Sequence, residues 1–157
     1  KDPGGETFDG IDRRDNANWS GWQKVDSYKS KGLKGKVLTD ALRADISIMG
    51  ARDKYYRDIW NRLRMDEVIS QSVANNIYDA YINPGARTVK VVQRLLKIID
   101  DGIIGTNTMR AINQTNPQTL VTGICDWRVE YYLGRSQTLK ETFLMGWLAR
   151  TEGMRLS

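Results

Sequence analysis

The chain is 157 residues long, 40% hydrophobic and 9% aromatic, enough to bury one good core and too apolar for a disordered chain. It has no histidine and a single cysteine, which excludes a Ser-His-Asp triad, a Cys-His pair, a histidine-ligated zinc site and an intrachain disulfide, and leaves carboxylates as the general bases of choice. The 24 Lys and Arg against 19 Asp and Glu give a net charge of +5, which favours anionic partners.

Residues 1 to 36 are turn-rich, with Gly4, Gly5, Gly10, Gly21, Gly32 and Gly35 and a lysine patch at Lys29, Lys31, Lys34 and Lys36, so little regular structure is expected there. From Val37 the period becomes helical: Leu38, Leu42, Ile46, Met49, Tyr56, Trp60 and Leu63 form one stripe. That predicts a long helix or a kinked pair, with Gly50 as the bend. Ile69, Val73, Ile77 and Tyr81 predict a second helix, closed by Asn83-Pro84-Gly85. A third starts near Ala86, faces Val89, Val92, Leu96 and Ile99 inward, and breaks at Asp101-Gly102. Asn116 before Pro117 reads as an N-cap and first helical position; the stripe Leu120, Ile124, Trp127 and Tyr131 follows, with a stop at Gly134. Cys125 on that helix reads as a buried, inert thiol. Thr138-Leu139-Lys140-Glu141 predicts a capping box for a last helix that buries Phe143 and Trp147. No strand-period segment follows residue 36, so the fold class expected is mostly α. No apolar run approaches the about 18 residues that span a bilayer, and no basic run is interleaved with aromatics, so neither membrane insertion nor a nucleic-acid partner is expected.

Candidate chemistry concentrates at the N-terminus, where Asp2, Glu6, Asp9, Asp12 and Asp15 lie among glycines, with the Thr7 hydroxyl between them. Paired carboxylates suit general acid/base work on polar substrates, and on residue types alone Glu6 is the acid; a solvated surface turn is the other reading. Asp79 and Asn83, four apart on one helix, and Tyr78 beside them could meet the hydroxyls or acetamido group of a sugar, or Asn83 could merely cap against Pro84. Trp19 and Trp22 could stack on sugar rings or fill the core. Gln93 heads a pattern, Val92-Gln93-Arg94-Leu95-Leu96 and then Asp101-Gly102-Ile103-Ile104-Gly105-Thr106-Asn107-Thr108, in which Thr106 or Asn107 caps the next helix.

That last pattern resembles the core of small peptidoglycan-binding modules. Asp2-Pro3-Gly4-Gly5-x-Thr7 followed by Gly10-Ile11 resembles the N-terminal signature of the glycoside hydrolase family 108 lysozymes. The likeness continues through Asn18-Trp19-Ser20-Gly21-Trp22, Tyr56-Arg57-Asp58-Ile59-Trp60, Arg64-Met65-Asp66-Glu67, Asp79-Ala80-Tyr81-Ile82-Asn83-Pro84-Gly85 and Phe143-Leu144-Met145-Gly146-Trp147-Leu148-Ala149-Arg150. The resemblance implies a lysozyme-like catalytic region over residues 1–85 and a helical peptidoglycan-binding region over 86–157, packed as one unit. It implies an N-acetylmuramidase that cleaves the β-1,4 bond between N-acetylmuramic acid and N-acetylglucosamine in peptidoglycan glycan strands, without metal or cofactor. Such an enzyme acts on the cell wall, from the periplasm or outside, or delivered from the cytoplasm in phage lysis. Family members include secretion activator proteins and phage endolysins. The family's catalytic Glu, in a Glu-Gly-Gly motif, falls upstream of Lys1, so this chain alone is expected to be inactive or nearly so. Asp2 and Thr7 fall near the Asp and Thr that follow that Glu in phage-type lysozymes, Glu6 is a further catalytic candidate, and Tyr78, Asp79, Asn83 and Gln93 are the substrate-binding candidates. Where the family has Thr-Asn-x-Gly-Ile-Thr, this chain has Thr7-Phe8-Asp9-Gly10-Ile11-Asp12. A non-catalytic peptidoglycan-binding or secretion-accessory protein is the alternative, and a basic nucleic-acid-binding domain the third class.

Overall fold

The structure, a computed structural model, describes residues 5–135 and 137–156, with backbone alone at 139 and 156. The fold is mostly α: among the described residues there are eight α-helices and one two-stranded sheet. The chain divides into two compact units, Lys1–Ile59 and Trp60–Ser157.

In the first unit, β1 (Thr7–Phe8) and β2 (Ile11–Asp12) form an antiparallel hairpin that pairs Thr7 with Asp12 and Phe8 with Ile11. Its corner, Asp9-Gly10, takes φ of 44° and 84°, the two-residue turn whose twist matches that of the flanking strands. Directly opposed residues share a face, so Phe8 and Ile11 enter the core together while Thr7 stays exposed. They pack with Trp19, Trp22, Val25, Leu42 and Ile48 from the following loop, α1 (Gly21–Ser30), α2 (Gly35–Ala44) and α3 (Ile46–Arg62). Trp19 stacks on Phe8 at 6.0 Å and meets Trp22 edge-on at 5.1 Å. Both indole N–H groups donate to carbonyls, Trp19 to Ala51 and Trp22 to Asn16, so their burial leaves no donor stranded. The tryptophans are core, and a Cβ on Gly21 would lie 2.2 Å from the Trp19 ring.

Two expectations fail in this unit. The lysine-rich stretch before residue 36 contains a ten-residue helix, α1, because Trp22, Val25 and Tyr28 recur every third residue and put one edge against the core. The bend between α2 and α3 falls at Asp45 instead of Gly50. Asp45 is extended (φ −85°, ψ 110°), and its carboxylate accepts the N–H groups of Ser47 (2.9 Å) and Ile48 (3.2 Å), capping α3. Gly50 continues that helix, and Ile46, beside the break, is 89% exposed.

In the second unit, a 3-10 turn (Met65–Glu67) leads to α4 (Gln71–Ile82), α5 (Arg87–Leu95), α6 (Thr106–Gln114), α7 (Pro117–Leu133) and α8 (Gln137–Leu156). α7 is the centre, packed against α4, α5 and α8. Its start is as expected: Asn116 accepts the N–H of Thr119 and Pro117 takes the first turn. Its buried face, however, is Leu120, Val121, Ile124, Cys125, Arg128 and Tyr132, so Trp127 and Tyr131 flank the core instead of filling it. α4 starts later than its apolar period suggested; Ser70 caps Val73, and Ile69 stays outside and exposed. α5 ends at Leu95, so Leu96 is half-buried and Ile99 is 83% exposed. Gly105 takes the N-cap position of α6, leaving Thr106 and Asn107 in its first turn. α8 already includes Thr138, so no capping box forms there, and Glu141 accepts from Gln137. Phe143 is exposed at its stacked contact with Trp147, itself half-buried against Tyr132 at 5.0 Å. Cys125 is buried and its thiol is pushed up by burial, as an inert cysteine should be.

Candidate functional site

The N-terminal carboxylates are held by cations and backbone donors. Glu6 accepts from Lys29 (2.7 Å) and Arg13 (2.8 Å); the Lys29 bond, against some burial and aided by Arg13, keeps its carboxyl below the ordinary 4.5. Arg13 also grips both oxygens of Asp26 at 2.7 Å. Asp9 binds Arg43 (2.9 Å) and Arg52 (3.0 Å), whose hydrogen bonds outweigh the upward push of burial and leave it below 3.8. The Asp9 carbonyl also accepts the Tyr56 hydroxyl, so the hairpin tip is tied to α2 and α3. Asp12 accepts the backbone N–H groups of Arg14 and Asp15. A general acid must stay protonated near neutral pH; Glu6 and Asp9 are pushed the other way. Thr7 is exposed on β1 beside Glu6, and Asp2 lies outside the described residues.

The candidates on α4 separate into different surroundings. Tyr78 is half-buried, edge-on to Trp60 at 5.1 Å, and the Trp60 indole N–H donates to Asp66 at 2.7 Å. Close by in sequence, the Arg62 guanidinium lies over the Tyr81 ring at 5.9 Å. Asp79 is buried: Arg128 donates to it at 2.8 Å and Arg150 chelates it through Nε and Nη2. Burial alone would raise the Asp79 carboxyl, but Arg150 and Arg128 together hold it below 3.8. Asn83 ends the helix at φ −94°, ψ −69°, where its backbone N–H bonds the Asp79 carbonyl and its side chain is exposed. The i, i+4 spacing therefore does not deliver both groups to one surface, because the second residue sits where the helix stops.

Gln93 is completely buried. Its carbonyl oxygen accepts the Gly102 N–H (2.9 Å), and its amide nitrogen lies within reach of Asp101 Oδ1 (2.8 Å), the Ile103 carbonyl (3.0 Å) and Thr108 Oγ1 (3.1 Å). Asp101 also accepts the Ile103 N–H, and Gly102 takes φ 79°. The Gln, Asp, Gly and Thr of the sequence pattern thus brace one another across the α5–α6 loop.

The site residues that sequence reasoning missed are arginines. Arg128 is 0% exposed, four residues beyond Ile124 and four before Tyr132, whose hydroxyl accepts from it at 3.0 Å. The series Leu120, Ile124, Arg128, Tyr132 carried the signal: a cation in an apolar stripe needs a buried anion, and Asp79 sits in the equally apolar α4.

Comparison with known proteins gives the class first: residues 87–152 match a predicted peptidoglycan domain, and residues 1–85 match glycosyl hydrolase 108, so the function is peptidoglycan-related. The chain belongs to the glycosyl hydrolase 108 family, whose model covers more than half of it. It is similar in fold to the solved structure of SagA from Brucella abortus, with 24% identity and a TM-score of 0.68 over 99% of this chain and 80% of that one. Comparison with curated proteins returned no match. Among the described residues no helix is long and apolar enough to cross a membrane.

Proposed function

We propose that this protein is the peptidoglycan-cleaving type of its family, an N-acetylmuramidase acting on the cell wall, with residues 1–85 serving hydrolysis and 86–157 wall binding. Family membership over residues 1–85 carries this reading. Glycoside hydrolysis needs one protonated carboxyl to expel the leaving oxygen and a second group that activates water or steadies the oxocarbenium-like transition state. Glu6, ionised by Lys29 and Arg13, is unsuited to the first role and acts as a tether of the N-terminal segment. The acid is the Glu that the resemblance puts upstream of Lys1, with Asp2 and the exposed Thr7 hydroxyl as its helpers. Tyr78, half-buried on α4, and Asn83, exposed at its C-terminal end, are the substrate contacts; the buried Asp79 and Gln93 hold the scaffold, one through Arg128 and Arg150, the other across the α5–α6 loop.

The test compares this chain with one extended upstream through a Glu-Gly-Gly segment on purified peptidoglycan, with mass spectrometry of the released fragments. The extended protein should release muropeptides with reducing N-acetylmuramic acid ends, and the shorter chain should fall by at least the about 10²-fold credited to a general acid. Anhydro-muramic ends or reducing N-acetylglucosamine would overturn the assigned bond. Binding without any cleavage by either protein would leave the peptidoglycan-binding accessory reading, which the match over residues 87–152 favours.

A further inference from the structure

Most arginines whose contacts are described are neutralised by a neighbouring carboxylate: Arg13, Arg43, Arg52, Arg64, Arg94, Arg128, Arg150 and Arg155 each have one. Among the described residues Arg87 and Arg135 have none, although they are drawn to the same ring. The Arg87 guanidinium carbon lies 5.0 Å from the Tyr131 ring centroid and that of Arg135 5.3 Å from it, and Arg135 Nη1 donates to the Tyr131 hydroxyl at 3.1 Å. Arg87 opens α5, Tyr131 lies near the end of α7, and Arg135 follows that helix by one residue past Gly134. Trp127, one turn earlier on α7, sits 5.8 Å from the same ring. Arg87 is exposed and the other three are half-buried, so the group is open to solvent.

Two like charges gathered on one tyrosine repel each other, and the ring quadrupole offsets only part of that cost. An anion drawn to this pair of cations would offset the repulsion, and a planar carboxylate matches the paired N–H geometry of a guanidinium. The group lies inside residues 87–152, the stretch that matches the predicted peptidoglycan domain. In peptidoglycan the disaccharide repeat carries hydroxyls and amides, whereas the negative charges sit on the carboxylates of the stem peptide. We propose that Arg87, Tyr131 and Arg135 form a binding subsite for a stem-peptide carboxylate, with the Trp127 ring supporting the adjoining part of the ligand. This subsite rests on the wall-binding reading and gives it chemical direction: the C-terminal region recognises the charged peptide, so that bare glycan is a poor ligand for it.

Isothermal titration of the 157-residue chain tests this with three probes: a disaccharide-tripeptide muropeptide with free carboxyls, the same muropeptide amidated at those carboxyls, and a neutral N-acetylglucosamine oligomer. The variants are Arg87→Gln, Arg135→Gln, their combination, and Arg110→Gln as an exposed arginine on another helix. Each single change should weaken the free-carboxyl muropeptide about tenfold, as expected for loss of a charged hydrogen bond, and the pair more. Amidation should weaken wild-type binding at least as much, Arg110→Gln should change nothing, and oligomer binding should be the same in every variant. Melting temperatures should stay within about 2 °C, because these side chains cover little core. Equal binding of amidated and free muropeptide, or an undiminished Arg87→Gln/Arg135→Gln protein, overturns the subsite. So does retention on insoluble peptidoglycan without any muropeptide binding, or a loss seen only with a phosphate-rich wall polymer. Failure of the wild type on muropeptide and insoluble peptidoglycan alike would instead overturn the wall-binding reading itself.

Discussion

Asp79→Asn is the perturbation that most sharply separates a structural lock from a substrate contact. Arg128 is 0% exposed, and its only carboxylate partner among the described residues is Asp79, at 2.8 Å. Removing that charge while keeping the shape leaves a buried cation with a neutral amide and the Tyr132 hydroxyl, a loss of about 3–5 kcal/mol. In a unit of about 100 residues, 1 kcal/mol moves the melting temperature by roughly 4–8 °C, so the midpoint should drop by roughly 12 °C or more. Arg150→Gln breaks the other half of the cluster, but its side chain is 58% exposed, so that ion pair should contribute no more than about 1 kcal/mol. Adding Arg128→Met to Asp79→Asn should recover much of the loss, since the stranded charge goes with it. The pH dependence has a definite sign. The folded-state pKa of Asp79 lies below its ordinary 3.8, so its contribution is complete above that value and disappears as pH falls through the folded pKa. Calorimetry at pH 7 should therefore separate wild type from Asp79→Asn widely, and the gap should close in strong acid. An Asp79→Asn protein that melts within about 4 °C of wild type at pH 7 would refute the argument. If the same substitution in the upstream-extended protein also raised KM for peptidoglycan, Asp79 would have to be returned to the substrate surface.

Three further outcomes follow from the geometry. Gly10→Ala forces a side chain into φ 84° with its Cβ 2.7 Å from the Tyr56 hydroxyl, and should destabilise the chain by more than about 1 kcal/mol in a urea titration; a neutral result would mean that the hairpin corner is not held as described. Asp45→Ala removes the cap of α3 and should lower the melting temperature at neutral pH. The Asp45 carboxyl is pulled down to about 2 by the Tyr28 hydroxyl and the Ile48 N–H, so the difference from wild type should persist at pH 4 and vanish only as pH falls through about 2. A fragment of residues 86–157 lacks α4, the partner of α7, and should show neither a cooperative melt nor dispersed amide resonances; a well-folded fragment would show that α5 to α8 suffice.

What could be read from the sequence, and what could not, follows from where the information lies. Caps and breakers are local, so Asn116-Pro117 and the Asn83-Pro84-Gly85 stop were legible. An Asp before an apolar run is a cap signal at Asp45, but it competes with Gly50 five residues on, since mid-helix Gly is costly in isolation. Once Asp45 bonds two N–H groups, no bend is needed at Gly50. α1 was hidden because its apolar face is only Trp22, Val25 and Tyr28 among six charged or polar residues, and tertiary burial of two aromatic rings, not propensity, stabilises it. On α7 the apolar period points Trp127 and Tyr131 inward, whereas the helix turns Arg128 and Tyr132 inward and leaves those two rings at its flank, Tyr131 beside Arg87 and Arg135.

The candidate site was legible only as far as residue type allows, because the role of an ionisable group depends on partners distant in sequence. Asp79 and Arg128 are 49 residues apart, and Asp79 and Arg150 are 71 apart. Read alone, Asp79 on an apolar helix is a polar group that wants an explanation, and a substrate hydroxyl is one. With both arginines present the carboxylate is fully engaged, although the buried Arg128 Nε has no acceptor among the described residues, so losing the Asp79 charge as well would leave the guanidinium poorly satisfied. The same logic sorts the N-terminal acids, where Glu6 and Asp9 are each claimed by two cations and lose their value as proton donors. It also works in reverse on Arg87 and Arg135. Most of the arginines are neutralised, so two that share a ring and have no carboxylate among the described residues leave charge to be met by a ligand. The first match, over residues 1–85, supplies Asp79, and the second, over 87–152, supplies Arg128 and Arg150, so one ionic lock joins residues of both inside a single compact unit. A substitution in either stretch that unbalances this lock will therefore reach the other through folding before it reaches it through chemistry.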